Sequence, residues 1–119
     1  MTARGEAPTR PADAILRANF TISDRAKRAI KSIRRELEAE GRKPAVAMIG
    51  WSLFTPSSGE RSEAVIVSFY MEDEYDQVRH GIQTVSGLDL IFFTTEQYRH
   101  HFDGKVLDHA ADRGFFLTA

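Results

Sequence analysis

Ser23-Asp24-Arg25-Ala26-Lys27-Arg28-Ala29-Ile30-Lys31-Ser32-Ile33-Arg34-Arg35-Glu36-Leu37, followed by Gly41 and Pro44, carries the clearest local code in the chain. Ala26, Ile30, Ile33 and Leu37 recur at four-three-four spacing, the period of one buried helical stripe. Ser23 is a helix-capping residue, and Asp24 complements the positive end of the helix dipole. Gly41 suits the left-handed conformation that ends a helix, and Pro44 prevents its continuation. Upstream, Phe20 and Ile22 form a short extended lead-in. Downstream the period changes. Ala45 to Phe54 is apolar on both alternating faces, and Thr55-Pro56-Ser57-Ser58-Gly59 reads as a turn. Glu63 to Met71 then places Val65, Val67, Phe69 and Met71 on one side. A helix followed by an antiparallel strand pair predicts a strand-rich α+β domain.

The remaining segments extend that pattern. The acidic run Glu72-Asp73-Glu74-Tyr75-Asp76 reads as a solvated turn, because it lacks the glycine and closing glutamate of a calcium loop. Ile82 to Val85 and Leu88 to Phe93 are strand-like on either side of Gly87. Thr95 is a candidate cap for a short helix from Glu96 to Phe102. Asp103-Gly104 marks a turn, followed by Lys105 to Leu107, a second turn at Asp112-Arg113-Gly114, and a last strand from Phe115 to Thr118. The start of the chain is rich in Pro, Arg and small residues without an apolar period. The expected organisation is a flexible tail over 1–19 and one domain over 20–119.

Composition narrows the function classes. The chain of 119 residues, 42% hydrophobic and 28% charged, suits a single globular core. Its longest apolar stretches are too short for a membrane-spanning helix, so no membrane role is expected. Cysteine is absent, which removes disulfides, thiol nucleophiles and thiolate metal ligands together. With no secretory-type apolar block before Phe20, a cytoplasmic location is expected. Sixteen basic and seventeen acidic residues give a net charge of -1, so an electrostatic partner must be recognised by a local patch. Gly50-Trp51-Ser52 begins like a nucleophile elbow, but Phe54 stands where that turn needs glycine. Ser52 is therefore read as a strand residue and Trp51 as a packing or interface aromatic.

Three stretches carry a resemblance to a known family. They are Phe20-Thr21-Ile22-Ser23-Asp24-Arg25-Ala26 before the helix, Ser58-Gly59-Glu60-Arg61-Ser62 with the strand to Phe69, and Phe102-Asp103-Gly104-Lys105-Val106-Leu107-Asp108-His109 followed by Gly114-Phe115-Phe116-Leu117. Together, over roughly 20–117, they resemble the A-type iron-sulfur carrier domain, also called the HesB/IscA-like domain. The resemblance implies a compact, β-sandwich-like fold with an N-terminal amphipathic helix and a short second helix. That family holds iron or a cluster through one cysteine in the central loop and two near the C-terminus. Here Glu60 falls at about the loop position, and the sequence reaches Ala119 without a counterpart of the later pair. The cluster chemistry is therefore not expected to carry over.

The preferred reading is a non-enzymatic binding or adaptor domain without a cofactor, working on a protein partner through sheet edges and exposed aromatics. A homodimer is expected from the habit of related scaffolds. One alternative is a metal-binding protein that takes iron or zinc on Glu60, His101 and His109, since imidazole and carboxylate suit both metals. His100 is the poorer candidate, because adjacent residues on a helix point about 100 degrees apart. Another alternative uses Lys27, Arg28, Lys31, Arg34 and Arg35 on the first helix to hold an acidic partner or nucleic acid. Nucleic acid is the less favoured of these, because no aromatic residues interleave with the cations to stack on bases.

Overall fold

The computed structural model describes residues 13–54 and 62–119. The helical stripe becomes α1 (Asp24–Ala39), preceded by two short strands, β1 (Asp13–Ile15) and β2 (Thr21–Ile22). Ser23 caps α1, its hydroxyl oxygen accepting the Ala26 N–H at 3.1 Å. At the other end Gly41 sits at φ +84°, while its N–H reaches Glu38 O and the Arg42 N–H reaches Leu37 O. These two bonds form a Schellman cap, satisfying carbonyls that the helix end would otherwise leave open.

The predicted strand pair is present as β3 (Pro44–Phe54) and β4 (Ser62–Met71), antiparallel, with Trp51 opposite Val65 and Ala47 opposite Phe69. After β4 the acidic run is helical rather than irregular. A 3-10 turn over Glu72–Glu74 leads into α2 (Tyr75–Val78) and a second 3-10 turn over Arg79–Gly81. Glu74 starts the first of these turns by accepting the Met71 N–H at 2.8 Å. β5 (Gln83–Val85) and β6 (Leu88–Thr95) then form a hairpin. Its two linking residues, Ser86 at φ 53° and Gly87 at φ 83°, match the primed turn whose twist suits tight hairpins.

β6 is the centre of a five-stranded sheet. It runs parallel to β3 on one side and pairs with β5 and β1 on the other. The chain continues through α3 (Glu96–Arg99) to β7 (Val106–Ala110) and β8 (Gly114–Thr118). These two strands complete a three-stranded sheet, with β2 parallel to β7. The core gathers Ala26 and Ile30 from α1, Ala47 and Ile49 from β3, Leu90 and Phe92 from β6, and Phe102 and Leu107 from the closing segment. Phe20, Phe92 and Phe102 pack with ring centroids 4.7–5.4 Å apart. The molecule is thus an α+β domain of two mixed sheets and three helices among the described residues.

Two expectations change. The domain does not begin at Phe20, because residues 13–15 already pair with β6 and Leu16 and Ala18 pack against the core. A three-residue strand has no period to read. The helix expected over 96–102 stops at Arg99, and Thr95 does not cap it. The His101 and Phe102 N–H groups bond to carbonyls three residues back, tightening the chain so that Phe102 turns into the core. The buried Thr95 hydroxyl oxygen has no hydrogen-bond partner among the described residues.

Candidate binding site in the seam between the sheets

β4 ends the large sheet and β8 ends the small one, each paired on one side only among the described residues. The two strands approach each other, yet no backbone hydrogen bond joins them among the described residues. A cleft of about 320 Å³ opens along this seam. Trp51, Ala64 and Val65 line it from β3 and β4, Phe115, Phe116 and Leu117 from β8, and His101 and Lys105 from the intervening turn.

The cleft wall is ordered by ring packing. The His101 imidazole lies parallel to the Trp51 indole, centroids 4.1 Å apart at 8°. The edge of Trp51 is fixed in turn by Phe102, at 5.8 Å and 78°. His100 sits 4.1 Å from His101, both in the turn after α3. Its Nδ1 is 2.7 Å from Gln97 O. Across the seam the Arg113 guanidinium lies 3.9 Å over the Phe116 ring. No carboxylate lines the cleft among the described residues.

Asp108, opposite Phe116 in the β7–β8 register, is already committed. Arg25 binds it through two nitrogens, at 2.6 and 3.2 Å, and the Ser23 hydroxyl donates to it at 2.7 Å. The Arg25 guanidinium, the Ser23 hydroxyl and the His109 backbone N–H together hold the Asp108 carboxyl well below the usual carboxylate range. The same interaction raises Arg25. Lys105, by contrast, has no ion pair or side-chain hydrogen bond among the described residues.

The other candidate residues separate. Glu60 lies outside the described residues. His101 is in the cleft wall, whereas His109 packs edge-to-face on Phe115 at 4.7 Å. Neither belongs to a group of three or more metal-capable side chains among the described residues. On α1, Arg34 faces the sheet. Its guanidinium donates to the Pro44 and Ala45 carbonyls at 2.9 and 3.0 Å and lies 5.1 Å over Phe69. The Lys27 ammonium donates to Ser86 O at 3.0 Å. Arg28, Lys31 and Arg35 remain as an exposed stripe at three- and four-residue spacing.

Arg34 could have been separated from the others by position, since it stands four residues after Ile30 and three before Leu37, beside the apolar stripe. Lys105, Phe115 and Phe116 gave no such signal, because a lone lysine and a short aromatic strand acquire meaning only across the seam. No protein-family model and no curated protein matches this chain.

Proposed function

We propose that this chain is a non-enzymatic adaptor domain that binds an extended segment of a partner protein along the β4–β8 seam. The observation that carries this reading is the pair of facing strand edges with an aromatic cleft between them. An unpaired edge presents a row of backbone donors and acceptors, and an added strand satisfies them while its alternate side chains enter the cleft. From Ala64 to Met71 β4 bears no charge, proline or glycine of the kind that blunts an edge, and Ile66 is 38% exposed. The packed sheets with a helix near the start support an A-type-carrier-like scaffold. The cysteine-free sequence supports a task other than the cluster chemistry which that resemblance implies.

Panning a displayed library of random heptapeptides against the protein tests this. Retained peptides should shift the backbone amide resonances of 64–69 and 115–117. Retention of no peptide, or shifts confined to α1, would overturn the reading.

A further inference from the structure

The geometry points to a partner segment that carries a carboxylate, received by Lys105 at the mouth of the seam; this rests on the seam being the binding site. Three features of the cleft lead there. Among the described residues the ionisable side chains lining it are His101 and Lys105, both nitrogen bases, and the neighbouring Arg113 adds a cation against Phe116. Asp108, opposite Phe116 in the β7–β8 register, is held by Arg25 and Ser23 and so does not answer Lys105. Lys105 itself follows the Gly104 turn, where its backbone is anchored by its N–H to Phe102 O and by its carbonyl to the Thr21 N–H. The stem is therefore held in place while the ammonium has no partner among the described residues.

A cation beside an aromatic wall and an open strand edge suits an aspartate or glutamate that flanks an apolar anchor residue. The apolar side chain enters between Val65 and Leu117, and the carboxylate meets the ammonium where the cleft opens to water. The aromatic surroundings strengthen that ion pair relative to one on an open surface. A basic or neutral segment would leave Lys105 partly desolvated without compensation, which is how the site selects among extended segments.

The heptapeptides retained in the panning above supply the probe. The tightest binder is synthesised in its selected form and with each acid replaced by its amide, and both are titrated against wild type, Lys105→Gln and Lys105→Arg. Enrichment of Asp or Glu is expected. The amide peptide and Lys105→Gln should each lose about tenfold in affinity, with no further loss when combined, and Lys105→Arg should retain most of it. Selected peptides without acids, or an unchanged affinity in Lys105→Gln while the amide shifts still map to 64–69 and 115–117, would overturn this inference and leave the seam reading standing. Retention of no peptide would overturn both.

Discussion

Arg34 sends its two terminal nitrogens to the carbonyls of Pro44 and Ala45, while Arg35, one step round the same helix, is exposed and without an ion pair among the described residues. A half-buried guanidinium that satisfies two strand carbonyls and covers Phe69 ties the end of α1 to the start of β3. Its removal leaves those carbonyls short of a donor. Arg34→Ala should therefore lower the unfolding free energy by about 1–3 kcal/mol in urea titration. Arg35→Ala should stay within about 0.5 kcal/mol of wild type. Equal effects would show that the carbonyl contacts contribute nothing net. Asp108 adds a dependence on pH. Its folded-state pKa lies below the unfolded value of about 3.9. Its contribution is thus complete above about pH 5 and is lost as pH falls through the unfolded value toward the folded one. Thermal melts of wild type and Asp108→Asn should differ most near neutrality, with the gap narrowing progressively as pH falls below about 4. A gap that is constant across that range would mean that the carboxylate's charge is not what matters.

At the scale of elements, two glycines mark where one segment lies directly on another. A Cβ at Gly50 would stand 2.6 Å from the Phe93 carbonyl oxygen, a backbone atom of the central strand. One at Gly81 would meet the Ile15 side chain at 2.7 Å. Backbone inside a sheet cannot move aside cheaply, whereas a side chain can be shortened. Gly50→Ala should destabilise by about 3 kcal/mol with no single-residue rescue. Gly81→Ala should be largely restored by Ile15→Ala, which removes the clashing methyls and leaves a contact of 3.4 Å. Denaturant midpoints of the single and double variants decide this, and failure of the rescue would mean that the clash with Ile15 is not what destabilises Gly81→Ala. The contrast also explains what was legible beforehand. α1, its caps and the β3–β4 pair were readable because a period or a capping residue encodes them within a few positions. β1, the parallel pairing of β3 with β6, and the stacking of Trp51 on His101 depend on partners tens of residues away. The charges divided in the same manner: the basic helix face was visible in sequence, but which cations were free depended on where β3 and the Ser86 turn came to lie.

For the whole molecule, the question is whether the two sheets open together. The large sheet is stitched through β6, which has neighbours on both sides, whereas the small sheet joins it through shared core residues and through Ser23, Arg25 and Asp108 where α1 meets β7. No described backbone hydrogen bond closes the seam between β4 and β8. The β7–β8 hairpin should therefore open without unfolding β3 and β6, giving two classes of amide protection. Hydrogen exchange should show the slowest amides at 46–49 and 90–92 and faster exchange at 115–117. Asp108→Asn should accelerate exchange at 106–117 and leave the central strands nearly unchanged. A seam-bound peptide should act in the opposite direction, slowing exchange in β8 and β4 together by bridging edges that are otherwise independent. Uniform acceleration across both sheets in Asp108→Asn would instead mean that they form one cooperative unit, in which case the seam could not widen to admit a strand without global unfolding.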